Sequence, residues 1–154
     1  MKKILAFIVV IAILYSCKEP KKKVVNNTQS RIDLLQTDKD FSELTSKEGM
    51  KTSFLKYLDS NGVLLRSDNF PITGAFAIDY LIGFDDSGYS MMWQPHHAVV
   101  SSSGDLGYTY GIFSVKILAT DSLIFGNYVH VWTKNKNGEW KLALDSGNEG
   151  IGEQ

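Results

Sequence analysis

Hydrophobic and polar positions repeat with two different periods along this chain. Between residues 37 and 58 apolar side chains recur mostly at steps of three and four, which is typical of an α-helix with one buried face. Thr37 supplies a capping hydroxyl before this run, and an acidic residue follows three positions later, near the positive end of the helix. Gly49 weakens the helical pattern, and close packing against a sheet would explain it. The polar residues 59–62 are predicted to end the helix, and residues 63–65 to form a short strand.

The second half of the chain is rich in aromatic and β-branched residues. A loop surrounds Pro71, and a short helix is predicted from residue 73 or 74 to residue 81. Four segments then have the composition of strands and are separated by turn residues: 89–100, 106–119, 123–134 and 139–145. Helices followed by a run of antiparallel strands indicate an α+β fold rather than a doubly wound parallel sheet.

The last two strands are predicted to pair through a two-residue turn at Asn137-Gly138. That register places Lys136 opposite Glu139 and His130 opposite Asp145. Because side chains alternate along a strand, two faces are predicted. One face is interpreted as core and contains Val129, Val131, Trp140, Leu142 and Leu144. The other is interpreted as a pocket wall, an oligomer interface or solvated surface and contains Tyr128, His130, Trp132, Lys141 and Asp145.

The N-terminus has the pattern of an export signal. Positive residues precede an apolar run at residues 4–15, which is too short to span a bilayer but suits a secretory signal core. Residues 14–17 (LYSC) resemble the bacterial lipobox. This resemblance implies cleavage before Cys17 and acylation of that cysteine, including palmitate. In bacteria with two membranes, Lys18 favours sorting to the outer membrane, facing the periplasm or the cell surface. An ordinary secretory signal and an uncleaved membrane anchor are the alternatives.

Composition and motifs exclude several classes of protein. The net charge is −1, and the C-terminal two-thirds contain no basic cluster, so a nucleic-acid groove is not expected. Cys17 is the only cysteine, which excludes an internal disulfide. His96 and His97 are adjacent on a predicted strand and point to opposite faces, so no metal site is expected. Pro95 beside them suggests an edge or bulged position. Dinucleotide, phosphate-loop and nucleophile-elbow motifs are absent from the sequence, and no cofactor is expected.

Four segments in the second half resemble nuclear transport factor 2-like proteins of the SnoaL-like type, in a branch labelled a domain of unknown function. They are residues 93–95 (WQP), 103–111 (SGDLGYTYG), 126–132 (GNYVHVW) and 138–141 (GEWK). The resemblance covers residues 36–147. It implies a cone-shaped, strongly curved antiparallel sheet wrapped around a long N-terminal helix, with a pocket at the open end. The predicted organisation is a signal peptide at 1–16, a lipidated N-terminus and tether at 17–35, the domain at 36–147 and a tail at 148–154.

Three hypotheses of function follow from this sequence. The first is a lipid-anchored cell-envelope protein that binds a small hydrophobic ligand without known catalysis. The second is a ketosteroid-isomerase-like or hydrolytic enzyme. His130 and Asp145 are its candidate catalytic pair because a carboxylate can orient and charge an imidazole, and an Asp–Tyr pair is the alternative. The third is a homodimeric interaction module. The candidate ligand-binding residues are Tyr108, Tyr110, Tyr128 and Trp132.

Overall fold

The computed structural model describes residues 27–150, and the proposed lipidation site Cys17 lies outside them. The elements, in chain order, are α1 (Asn27–Tyr57), β1 (Leu58–Leu64), β2 (Ile72–Thr73), α2 (Ala75–Gly83), β3 (Tyr89–Val100), β4 (Leu106–Ile117), β5 (Ser122–Lys134) and β6 (Trp140–Glu149). The fold is α+β, as predicted.

One six-stranded sheet has the order β2-β1-β6-β5-β4-β3. Strands β3 to β6 form the predicted antiparallel meander. The sheet as a whole is mixed, because β1 pairs in parallel with β6. The sequence predicted no partner for the segment that forms β1, so this parallel pair is what the structure adds to the predicted antiparallel sheet. A connection through β2, α2 and the whole meander separates the two strands in sequence, so no local turn signal marks their pairing.

Helix α1 begins ten residues before the predicted cap at Thr37. Ser30 and Leu34 are buried, so residues 27–35 belong to the folded domain and not to the tether. Leu34 packs against Gly107 of β4. A Cβ atom at that glycine would lie 2.7 Å from Leu34 Cδ2, which is too close for a side chain at this position. The polar composition of residues 27–36 hides this contact from a local reading of the sequence.

Gly49 breaks α1 with a non-helical conformation, φ 86° and ψ 165°. The backbone N–H of Lys51 donates a hydrogen bond of 2.8 Å to Asp86 Oδ2, so Asp86 caps the second half of the helix from the loop before β3. A Cβ at residue 49 would lie 2.6 Å from the same oxygen. The glycine is thus needed for a positive φ and for the approach of a capping carboxylate, and not for packing against a sheet as predicted.

The residues predicted to stop the helix, 59–62, lie within β1, which is irregular between Leu58 and Val63. Residues 72–73, predicted to lie where the loop around Pro71 meets the short helix, pair with the end of β1 as the short strand β2. Gly74 N–H also donates to Gly62 O at 2.9 Å. The conformation of residues 59–62 and 72–73 is therefore set by pairing with neighbouring strands, and not by the turn residues in the local sequence.

The hairpin between β5 and β6 contains a three-residue connection instead of the predicted two. Asn135 N–H donates to Glu139 O at 2.9 Å, and Gly138, with φ 82°, donates to Asn135 O at 2.9 Å. The register near the turn is consequently shifted by one residue from the prediction. A bulge then leaves Ala143 without a partner, because Trp132 pairs with Leu142 and Val131 with Leu144. Beyond the bulge His130 lies opposite Asp145, as predicted.

Helix α1 packs on the face of the sheet that we call the inner face, mainly against β3. Phe41 lies at the centre of this contact, with its ring 4.7 Å from Trp93 and 4.8 Å from Phe54. The Ser42 hydroxyl accepts from the Trp93 N–H and donates to its carbonyl oxygen, each at 2.7 Å. The interface between α1 and β3 is therefore formed by packed aromatic rings, and the hydrogen bonds of Ser42 fix its position. Among residues 27–150 no helix is long and apolar enough to span a membrane.

Candidate functional site

A cavity of about 740 Å³ lies between the C-terminal half of α1, the loop after β1, α2 and the inner face of the sheet. Its apolar wall contains Met50, Phe54, Leu65, Tyr80, Phe84, Tyr89, Met91, Trp93, Phe113 and Val115. Its polar lining contains Arg66, Ser67, Tyr128, His130, Asp145, Asn148 and Glu149. The combination of apolar walls and a few polar groups is typical of small-molecule sites.

His130 lies on β5 at the inner end of the cavity and is almost fully buried. Its Nδ1 is 3.0 Å from Asp38 Oδ1, and its Nε2 is 2.9 Å from Asp145 Oδ1. Ionised carboxylates only accept hydrogen bonds, so both ring nitrogens act as donors. The imidazole is therefore held as an imidazolium between two carboxylates.

The same arrangement sets the pKa of His130. Burial lowers this pKa because it disfavours the charged form, but the Asp38 charge and the hydrogen bonds to Asp145 and Asp38 outweigh burial and raise it to about 9. His130 is consequently charged at neutral pH, in contrast to an exposed histidine.

Asp38 is fully buried on α1 and was not a candidate site residue in the sequence. It accepts hydrogen bonds from Trp93 Nε1 at 2.8 Å and from the Tyr128 hydroxyl at 2.9 Å, in addition to His130. Burial raises the pKa of Asp38, but the His130 charge and the hydrogen bonds from His130, Thr109 and Trp93 outweigh burial and lower it. Its spacing from Leu34 and Phe41 could have indicated a buried position, because steps of four and three place all three on one helix face.

Asp145 is brought inward by the bulge at Ala143. The extra residue reverses the alternation of β6, so Asp145 and Leu142 share the inner face, against the prediction that they lie on opposite faces. Asp145 Oδ2 forms an ion pair with Arg66 Nη1. Burial raises the pKa of Asp145, but the His130 hydrogen bond and the Arg66 charge outweigh it and lower the pKa.

Five side chains thus form one continuous set of contacts, which we call the polar chain: Tyr128, Asp38, His130, Asp145 and Arg66. It joins α1, β5 and β6 to the loop after β1. Sequence reasoning identified His130, Asp145 and Tyr128 and missed the other two, because neither belongs to a local motif.

The remaining candidate residues lie outside this set. Trp132 is fully buried on the inner face, where its Nε1 donates to Thr109 Oγ1 at 2.9 Å, and it does not line the cavity. Tyr108 and Tyr110 lie on the opposite, outer face of the sheet and are 42% and 45% exposed, so the structure does not bring them to the cavity. Their side chains point away from α1 because β4 alternates between the two faces.

The face of β5 interpreted as core is in fact the outer face. Val129 is exposed, whereas its neighbours Tyr128 and His130 are buried. The prediction that Val129 belongs to the core is wrong because Tyr128 and His130, on the other face of β5, pair with Asp38 from α1. A buried charge becomes tolerable once it is paired and hydrogen-bonded.

His96 and His97 lie at a bulge of the edge strand β3, as suggested by Pro95, and both are exposed. Within residues 27–150, no group of three or more His, Cys, Asp or Glu side chains is arranged to hold a metal ion.

The polar chain limits proton transfer at its centre. A general base needs a free nitrogen or oxygen aimed at the substrate and a pKa near the working pH. Neither ring nitrogen of His130 is free, and the pKa of Asp145 is lowered by two cations. The contact between His130 and Asp145 is therefore the predicted one. Its geometry keeps His130 protonated and Asp145 ionised and leaves no free nitrogen on His130 to act as a general base.

No protein-family model matches the chain, and no curated protein matches it in sequence. Solved structures do match. A ketosteroid isomerase-like protein from Erwinia carotovora atroseptica superposes with a TM-score of 0.62 at 12% identity, covering 84% of this chain and 100% of that one. An NTF2-like protein with a cystatin-like fold from Novosphingobium aromaticivorans gives 0.59 at 13% identity, with coverage of 81% and 83%. The CaMKII hub of S. rosetta gives 0.58 at 17% identity, with coverage of 78% and 96%.

These similarities show the fold. A long N-terminal helix on an open six-stranded sheet is the nuclear transport factor 2-like, cystatin-like arrangement, as the resemblance in the sequence implied. Because one fold carries many functions, the function has to be argued from the cavity and the polar chain.

Proposed function

We propose that this protein is a lipid-anchored cell-envelope protein whose nuclear transport factor 2-like domain binds a small, largely apolar ligand. The size and aromatic walls of the cavity support binding, since drug-sized ligands occupy pockets of ~300–1,000 Å³. The observation that carries the proposal is that both ring nitrogens of His130 are paired with carboxylates, those of Asp38 and Asp145. These contacts make the inner end of the cavity a rigid polar surface against which a ligand can bind. Anchoring rests on Cys17 at the end of the apolar run.

The test is to isolate the ligand from the protein as it exists in the cell. The full chain is purified from membranes, extracted with organic solvent and analysed by mass spectrometry beside a mock purification. A compound that copurifies in near-stoichiometric amount is then added back to a delipidated sample. At ~100 times its dissociation constant it should add ~2.7 kcal/mol of stability, seen as a higher Tm. An extract identical to the mock, with no stabilisation by lipids, sterols or aromatic metabolites, contradicts the proposal.

An acid–base enzyme is the second candidate, because His130 and Asp145 both line the cavity. Its clearest test is conversion of the extracted compound by the wild type and by Asp145→Asn. Turnover lost in the variant, with wild-type circular dichroism at an assay temperature below its lowered Tm, supports catalysis by this pair. A compound recovered unchanged from the wild type leaves binding as the function.

A homodimer is favoured by apolar side chains on the outer face of the sheet. Tyr110 and Val129 are register partners on β4 and β5, and Ile112 on the same face of β4 is also exposed. Exposed apolar patches of this kind mark interaction surfaces.

Light scattering tests the dimer on the unlipidated chain, by which we mean residues 17–154 with Cys17→Ser. Dimeric mass should appear at high concentration and be lost in Ile112→Lys, whereas Leu118→Lys, an exposed position beyond the end of β4, should keep it. A monomer at every concentration excludes the dimer.

A further inference from the structure

We infer that the ligand of the cavity is uncharged and carries a hydrogen-bond acceptor, such as a carbonyl or hydroxyl oxygen, that binds the guanidinium of Arg66. This inference rests on the proposed ligand-binding function and names the chemical class of its ligand.

Arg66 has N–H donors at the cavity that bind no acceptor within residues 27–150. Among residues 27–150, its hydrogen-bond and ion-pair partners are the Asp145 carboxylate and the Leu65 carbonyl oxygen, and both contact Nη1. The N–H groups on Nε and Nη2 have no protein partner in that part of the chain. A guanidinium carries five N–H donors in a planar fork, so the groups that remain can bind an acceptor on a ligand. The Ser67 hydroxyl follows directly along the cavity wall.

The groups around this donor already carry more negative than positive charge. Among the residues that the structure describes, 27–150, the cationic groups that line the cavity are Arg66 and His130, and the anionic ones are Asp145 and Glu149. Behind His130, the carboxylate of Asp38 adds one more negative charge. A ligand carboxylate at Arg66 would add a further negative charge beside Asp145 without a free cation to pair with. The desolvation of that anion would be uncompensated, which is costly in a partly buried site.

The rest of the cavity also favours an uncharged ligand. Phe54 lies under the guanidinium, with its ring centroid 6.0 Å from Arg66 Cζ, and the wall continues through aromatic and methionine side chains. An apolar, partly aromatic body fits this wall, and a single acceptor at one end satisfies the free N–H groups. Buried donors that find an acceptor give specificity because the same donors left unpaired cost free energy.

The experiment uses three probes with one body: 2-acetylphenanthrene, phenanthrene-2-carboxylate and 2-ethylphenanthrene. Their affinities for the unlipidated chain are measured at pH 7 by displacement of Nile red, an uncharged dye. The ketone is expected to bind about tenfold more tightly than the carboxylate and about fivefold more tightly than the hydrocarbon, which corresponds to roughly one hydrogen bond. Tighter or equal binding of the carboxylate overturns the inference and leaves the proposed function standing.

Variants locate the interaction. Arg66→Gln should weaken the ketone about fivefold and leave 2-ethylphenanthrene unchanged, and Arg66→Lys should behave similarly because it loses the planar fork while keeping the charge beside Asp145. Lys116→Gln, which removes the positive charge of a residue that does not line the cavity, should bind like wild type. An unchanged ketone affinity in a folded Arg66→Lys protein also overturns the inference. If none of the probes binds and the cell extract holds no compound, the proposed function itself fails.

Discussion

His130 is the residue at which the buried charges of this domain meet. Its two nitrogens hold carboxylates from elements that are far apart in sequence, Asp38 on α1 and Asp145 on β6. Each carboxylate is satisfied in turn by other donors, Tyr128 and Trp93 on one side and Arg66 on the other. Each member stabilises the set, because the loss of a charged member leaves a buried charge without its counter-charge and the loss of Tyr128 leaves Asp38 with one donor fewer.

The first prediction concerns Asp38. Asp38→Asn should lower the free energy of unfolding by about 3 kcal/mol, because it removes the buried negative charge that pairs with His130. The measurement is urea denaturation at pH 7. Asp40→Asn, at an exposed position of the same helix, is the control and should change stability by less than about 0.5 kcal/mol. Equal stability of the two variants would show that the buried pair contributes nothing.

The second prediction concerns pH. The pKa of His130 is raised from 6.5 to about 9 on folding, so the folded state binds more protons than the unfolded state between those values. The resulting stabilisation is fully present below pH ~6.5 and is lost as the pH rises through about 9. The lowered pKa values of Asp38 and Asp145 act in the opposite direction, so that their contribution is lost as the pH falls below their usual range near 3.8.

The check is the free energy of unfolding from pH 4 to pH 10. Stability should be highest between about pH 4 and 6.5 and decline toward pH 9. His130→Gln should abolish the decline, whereas His97→Gln, at an exposed histidine of β3, should retain it. A flat wild-type profile across pH 6.5–9 would falsify the charged state assigned to His130.

At the scale of elements, the break in α1 shapes one side of the cavity. Met50 and Phe54 follow the break and line the cavity, and Phe84 and Tyr89 line it from either side of the loop that supplies the cap. The Tyr89 hydroxyl also lies 3.2 Å from Met50 Sδ. The cavity wall therefore depends on a glycine and a capping carboxylate that do not themselves line the cavity.

The third prediction tests this break. Gly49→Ala should cost about 2 kcal/mol or more, because it places a Cβ at a positive φ and against Asp86. Gly83→Ala, at a helical glycine of α2 with open space around it, should be neutral or slightly stabilising. Thermal unfolding of both variants makes the comparison, and similar Tm values for the two would contradict the assignment.

At the scale of the whole molecule, the domain has one face turned to α1 and the cavity and another exposed with apolar side chains. The chain outside the structure adds the proposed anchor at Cys17, which lies ten residues before Asn27. An extended chain of that length reaches at most ~35 Å, so an anchored domain would stay near the membrane surface.

The fourth prediction concerns this anchor. In a bacterial host, Cys17→Ser should abolish labelling of the full chain with radioactive palmitate and release it from the membrane fraction, since several acyl chains are needed for stable anchoring. Lys18→Asp is the matched control and should keep the label while moving the protein from the outer to the inner membrane. Labelling that persists in Cys17→Ser would exclude the cysteine as the lipidation site.

Local sequence patterns determined the elements of this fold. The four strands of the meander and the two helices are recognisable because period, turn residues and side-chain branching act over a few neighbouring positions. The pairing of His130 with Asp145 was also predictable, although it resulted from a three-residue connection and a bulge that offset one another. The early start of α1 at Asn27 escaped local reasoning, because its buried side chains are spaced among polar ones.

Only the tertiary structure decided which face of the sheet is inside. Hydrophobicity alone placed Val129 in the core and left His130 on the mixed face, whereas the structure buries His130 because Asp38 approaches from α1, 92 residues away in sequence. The parallel pairing of β1 with β6 and the arrival of Arg66 at Asp145 depend in the same way on distant segments. A buried charge is stable only with its partners in place, and partners from separate elements meet only once the chain has folded.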